Sequence, residues 1–201
     1  MTKPAAAVPT QTNPAPPPVK TIYVNFLSTI NEITANRFMA ACAQILNEKP
    51  DELYFLFASP GGEVDPGIVI YNFLRALPVK IIMHNNGAID SIANVIFHAA
   101  DQRMAAPHAT FHFHGVGMDV PAKMKISCSQ TQEMLSQFKA LEAKIANILV
   151  DRCRLTHAEI SDLFLNGQSK DTTFALDKGI IQSVSQPLIP ANAKFYSLNF
   201  S

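Results

Sequence analysis

At 201 residues and 48% hydrophobic composition, the chain is long enough for one well-buried domain and short for two. Its 16 basic and 16 acidic residues cancel, with no local run of Lys and Arg, so nothing in the charge points to nucleic acid or an anionic membrane as partner. Cys42, Cys128 and Cys153 are widely spaced and contain no CxxC pair, which argues against a disulfide framework or zinc site and fits a reducing cytoplasm.

Residues 1–20, "MTKPAAAVPTQTNPAPPPVK", are half Pro and Ala. They lack the apolar core of a signal peptide, and no later segment approaches a membrane span. A disordered, partly polyproline-like tail is expected there. "TIYVNF" then reads as a strand from its β-branched and aromatic residues. "TANRFMAACAQILNE" has apolar residues at helical spacing, with Thr34 as the expected cap.

"ELYFLFA" is a short apolar run, the pattern of a strand buried on both faces. It stops at "SPGGEVDPG", after which "IVIYNFLRAL" reads as a helix and "VKIIMH" as a strand. A Gly-led turn, "NNGAID", leads to Ser91 and the helix-like "IANVIFHAA". "ATFHFH" is a further strand. Residues 123–154 form a long polar helix whose apolar positions, Met134, Leu135, Phe138, Leu141, Ile145, Ile148 and Leu149, recur at helical spacing. It is too long to lie on one small sheet, so part of it should project or meet another subunit. "THAEISDLFLN", "TTFALDKG" and "IIQSV" read as helix, helix and strand. The alternation of buried strands and amphipathic helices predicts an α/β fold with a largely parallel sheet.

Three features fall at strand ends, where open α/β sheets place ligands. "SPGG" is either an ordinary turn or a loop whose glycines leave backbone N–H groups facing outward. Ser91 is either a helix N-cap or a hydroxyl with chemistry; in the second case the N–H of Ile92 is a natural oxyanion donor. In "PHATFHFHG", His112 and His114 share one strand face. They can serve as a base or, with His98 or His108, as metal ligands.

In order and spacing, SPGG, then Gly87 four residues before Ser91, then Pro107 seven residues before His114, resemble the proteolytic subunit of the Clp protease family. The resemblance runs over about residues 21–184. It implies a Clp/crotonase-like fold of repeated β-β-α units with a projecting "handle" helix, here the long segment after His114. "FALDKGII" is similar to the family's A-x-E-x-G-L-I segment.

By resemblance, Ser91 is the nucleophile of a serine endopeptidase, His114 the base, and the N–H groups of Gly62 and Ile92 the oxyanion hole. No cofactor or metal is implied. The implied substrates are peptides or unfolded proteins, the implied assembly is a homo-oligomeric ring, and the implied partner is an AAA+ ATPase.

The sequence departs from the family at several points. Ile89 and Asp90 stand where small residues usually precede the Ser, and Asp90 is expected to point away from Ser91. Gly167 occupies the position of the family's catalytic acid, with Asn166 and Asp171 as nearby candidates. The Pro/Ala tail replaces the segment that forms the axial gate beneath the ATPase. The expected organisation is a tail over 1–20, a peptidase domain over 21–184 and a C-terminal extension over 185–201. Two alternatives accompany the peptidase reading: an inactive ring subunit with an assembly role, and a crotonase-type acyl-CoA enzyme that uses the oxyanion hole without a Ser nucleophile.

Overall fold

Alternation sets the first strand. In β1 (Thr21–Leu27), Ile22, Val24 and Phe26 are buried while their neighbours are not, as expected where side chains leave a strand on opposite faces. This computed structural model describes residues 18–118, 120, 121, 123 and 125–198. The expected tail therefore lies, up to residue 17, outside the described residues.

Helix α1 (Glu32–Leu46) buries Ala35, Phe38, Cys42 and Ile45 along one stripe. Its cap is Asn31, not the expected Thr34. Asn31 Oδ1 accepts from the Thr34 N–H at 2.8 Å, and Thr34 Oγ1 accepts from the Asn31 N–H at 2.9 Å. Thr34 is thus the reciprocal partner in a capping box. β2 (Glu52–Ser59) buries Phe55, Leu56 and Phe57 in succession, the run expected of a strand covered on both faces. Phe26 packs between Phe57 and Phe38, with ring centroids 5.0 and 5.3 Å away. Truncating such a fully buried ring costs about 3–5 kcal/mol.

After α2 (Val64–Ala76) comes β3 (Lys80–Asp90), which does not end where a turn was expected. "NNGAID" belongs to the strand. Phe57 of β2 pairs with Asn85, but Ser59 pairs with Ile89, so residues 86–88 stand against Ala58 alone. This bulge uses the turn-forming residues without reversing the chain. Asn85 holds it from inside, accepting from the Gly87 N–H at 3.0 Å and donating to Thr110 O at 2.9 Å. The bulge lets β3 change neighbours. Its first half pairs with β4 (Gln102–Ala105), a strand not foreseen, and its last three residues pair with β5 (Thr110–Phe113).

Helix α3 (Ala93–Phe97) is shorter than expected and wholly buried. Helix α4 (Cys128–Arg152) begins later than residue 123, behind a capping box made by Ser127 and Gln130. Of its 25 residues, about 38 Å of helix, only Ile145, Ala146 and Leu149 are buried. Leu135 is 50% exposed, so the N-terminal half projects as anticipated. The chain continues through α5 (His157–Asn166), β6 (Gln168–Lys170), α6 (Thr172–Asp177), β7 (Ser183–Val184) and β8 (Lys194–Ser197).

The eight strands among the described residues form one sheet in the order β6-β5-β3-β2-β1-β8, with β4 bridging β3 and β7. Every pairing is parallel except β5 with β6. This is the mostly parallel α/β architecture expected. The segment after residue 184 also contributes to it: β8 adds to the edge of β1, and Lys194 and Tyr196 both hydrogen-bond Glu48. No helix among the described residues is long and apolar enough to cross a membrane.

Candidate active site

Ser91 follows the last residue of β3, and it is not a helix cap. The N-cap position of α3 is Ile92, which makes no side-chain capping bond. Ser91 instead has φ +55°, a left-handed conformation that L-residues adopt at a cost of roughly 1–2 kcal/mol. Its backbone is fixed on both sides. The Ser91 N–H donates to His112 O at 2.9 Å, and its carbonyl accepts from the Asn94 N–H at 3.1 Å.

Asn94, 1% exposed, completes the lock. Its Nδ2 donates to Ser91 O at 3.2 Å, to His112 O at 2.9 Å and to Ile89 O at 3.3 Å. The sequence reading missed it, although an amide inside the apolar "IANVIFHAA" was a signal that a buried polar group had work to do.

The "SPGG" loop packs directly on this turn. A Cβ on Gly61 would lie 2.6 Å from Asp90 O and 2.7 Å from Ser91 Cβ. Gly62 has φ +145°, and a Cβ there would lie 2.0 Å from Ile30 O. The Ile30 N–H donates to Gly61 O at 2.8 Å, and its carbonyl accepts from the Glu63 N–H at 2.9 Å. Those two bonds use the residues flanking Gly62 and leave its own N–H directed away from Ile30. Neither the Gly62 N–H nor the Ile92 N–H donates to an acceptor among the described residues.

His114 is exposed, one residue beyond β5. It lines the same cavity as Ser91 and Gly62, whose apolar wall includes Val64, Phe113 and Leu149. Its Nδ1 is 2.8 Å from Gly115 O. A carbonyl only accepts, so Nδ1 carries a proton, and in the neutral ring the lone pair is on Nε2. No hydrogen bond joins Ser91 Oγ to the ring among the described residues.

His112 lies on the same face, its ring centroid 5.4 Å from that of His114, but it is directed elsewhere. Its Nδ1 pairs with Ser169 Oγ of β6 at 2.9 Å. The other histidines do not gather with this pair. His98 is fully buried, with Nδ1 donating to Asn94 O at 2.7 Å. Burial, reinforced by the nearby Arg103 cation, drives its pKa down to about 3. His108 is exposed in the turn between β4 and β5. Among the described residues, no three His, Cys, Asp or Glu side chains are placed to hold a metal ion.

Neither candidate for the acid joins His114 by a hydrogen bond. Asn166 Nδ2 donates to Asp162 Oδ1 at 2.8 Å and Asp162 O at 3.0 Å. The Asp171 carboxylate accepts from the Phe174 N–H at 2.9 Å as the cap of α6. Gly167 closes α5 in a left-handed conformation, φ +56°. Asp90, expected to point away from Ser91 into a contact such as a cap, lines a separate groove with Asn25, Leu27, Ser59 and Pro60 and caps no helix among the described residues.

Residues 19–187 match the family model described as Clp protease. The chain is 28% identical over 170 residues to the ATP-dependent Clp protease proteolytic subunit of Dehalococcoides mccartyi, covering 79% of each chain. It is 35% identical over 66 residues to the ATP-dependent Clp protease proteolytic subunit 2 of Pseudomonas aeruginosa, about a third of each chain (32% and 33%). With proteolytic subunit 2 of Corynebacterium glutamicum it shares 25% identity over 140 residues, 67% of this chain and 66% of that one.

Proposed function

The chain belongs to the Clp protease family, and from that premise we propose that it is a serine-type endopeptidase acting through Ser91 and His114. The observation that carries this reading is the meeting of three residues at one cavity: Ser91 with its hydroxyl on a strained turn, His114 with Nδ1 committed to Gly115 O, and Gly62 with an uncommitted N–H. The uncommitted N–H of Ile92 belongs to the turn beneath them.

Ser91 Oγ attacks the scissile carbonyl carbon as its proton passes to His114 Nε2. The tetrahedral oxyanion accepts from the N–H groups of Gly62 and Ile92, each such donor contributing about 3–4 kcal/mol to the transition state. The C–N bond then breaks, His114 gives its proton to the departing amine, and an ester remains on Ser91. Water, deprotonated by His114 Nε2, attacks that ester, and the acid product leaves as the proton returns to Ser91. None of these steps calls on a metal or cofactor.

The substrates in this reading are peptides or unfolded proteins. The half-exposed apolar positions of α4, such as Leu135, are the contact surface of a homo-oligomeric ring. An AAA+ ATPase is the partner that feeds it, and the cytoplasm is its compartment, consistent with the free thiols of Cys42, Cys128 and Cys153.

A second reading, an inactive ring subunit with an assembly role, draws on Gly167 and on the absence of a carboxylate hydrogen-bonded to His114 among the described residues. Hydrolysis of an internally quenched peptide by the purified assembly separates the two. The peptidase reading requires turnover that Ser91→Ala removes. Equal background rates from both proteins would leave only the inactive subunit.

A further inference from the structure

Among the described residues the partner of His114 Nδ1 is the carbonyl of Gly115, and the backbone on both sides of that carbonyl is itself hydrogen-bonded. The Gly115 N–H donates to Phe164 O of α5 at 3.0 Å. On its other side, the Val116 N–H donates to Glu142 Oε1 of α4 at 3.0 Å. Gly115 C=O and Val116 N–H are the two ends of one peptide unit. A carboxylate gripping the N–H end fixes the plane of that unit. It also polarises the unit so that the carbonyl end becomes a stronger acceptor.

Glycine at position 115 makes the approach possible. A Cβ there would lie 2.7 Å from the same Glu142 oxygen. The arrangement runs carboxylate, peptide, imidazole.

We propose that Glu142 is the acid of this site, displaced from the position now occupied by Gly167 and acting on His114 through the 115–116 peptide. It is a positioning residue, since it touches neither substrate nor the reacting atoms. Its effect is to keep His114 in the Nδ1–H tautomer, with Nε2 unprotonated toward the cavity, the form a general base requires. The inference rests on the Ser91–His114 reading above, and its primary test does not depend on turnover.

The test is the imidazole ¹⁵N spectrum of the full-length assembly labelled at histidine, with the His114 resonances identified by their loss in His114→Ala. The expected wild-type spectrum of neutral His114 shows Nδ1–H. Glu142→Ala should shift the ring toward Nε2–H, whereas Glu142→Gln should preserve Nδ1–H, because its amide oxygen still accepts from Val116. Gly115→Ala, which pushes the carboxylate aside, should behave like Glu142→Ala and serves in its place if that variant does not fold.

In peptide hydrolysis, Glu142→Ala should lower kcat by about tenfold to a hundredfold with KM little changed, as loss of base alignment does. Glu142→Gln should recover most of that loss. An Nε2–H ring in the wild type, or an Nδ1–H ring retained in Glu142→Ala, overturns the proposal whatever the activity. Absence of turnover alongside the expected tautomers would instead count against the peptidase reading alone.

Discussion

Gly67 lines no part of the cavity, yet replacing it with Ala should damage the site. It sits in the first turn of α2, buried, where a Cβ would lie 2.3 Å from Ile92 Cγ1. Two effects oppose each other. Helix propensity favours Ala over Gly by about 1 kcal/mol, while overpacking a tight contact costs roughly 1–3 kcal/mol. Ile92 is fully buried and β-branched, so it has no easy rotamer by which to yield. Overpacking should win, giving a net destabilisation of up to about 2 kcal/mol.

Ile92→Ala alone should cost about 2–5 kcal/mol through the cavity it opens. The double variant removes the atom that clashes, so it should be more stable than the sum of the two by about 2 kcal/mol. The chain has no Trp, so urea unfolding is best followed by circular dichroism. Displacing Ile92 also moves its N–H, and Gly67→Ala should slow Ser91 acylation at least tenfold. Strict additivity, or a Gly67→Ala protein about 1 kcal/mol more stable than wild type as propensity alone dictates, would refute the contact.

Other substitutions test separate parts of the site. His114→Ala should abolish peptide cleavage and His112→Ala should retain most of it, with a strong chelator affecting neither; equal loss from both, with inactivation by chelator, would revive a metal site. Asp90→Asn should leave the acylation rate of Ser91 nearly unchanged, because Asp90 lines the separate groove with Ser59 and Pro60; a large acceleration would put its charge against the oxyanion. His98, held near pKa 3 in the fold against an ordinary value of 6.5, stays neutral when folded and takes a proton when unfolded. Its contribution to stability is complete above about pH 6.5 and declines as pH falls toward 3, by up to about 1.4 kcal/mol per pH unit. His98→Asn should flatten the fall in urea midpoint between pH 6 and pH 4, and an unchanged slope would assign it to other groups.

The elements that carry strong periodicity were legible in the sequence: "TIYVNF", "ELYFLFA" and the α1 stripe lie close to where the pattern placed them, whereas α2 starts at Val64, four residues before "IVIYNFLRAL", and the projecting α4 spans Cys128–Arg152 rather than 123–154. "NNGAID" was misread because Asn and Gly serve a bulge as readily as a turn, and only the pairing of β3 with both β4 and β5 distinguishes the two. The short strands β4, β6 and β8 exist through their neighbours and leave little local signal.

At the site, the spacing of SPGG, Ser91 and His114 selected residues that line one cavity, apart from Ile92, whose N–H belongs to the turn beneath it. The clamp around them was not legible. Asn94 acts through three carbonyls, and Glu142 reaches Val116 from a helix 26 residues further along the chain. Such contacts depend on tertiary placement, and no spacing rule encodes them.

The most direct measurement is the covalent labelling of the intact protein by a fluorophosphonate, with the adduct located by peptide mass spectrometry. One adduct per chain, on Ser91, is expected, lost in Ser91→Ala and reduced by orders of magnitude in His114→Ala. An unlabelled wild-type chain that is folded and assembled, or an adduct on another residue, would contradict a serine mechanism at this site.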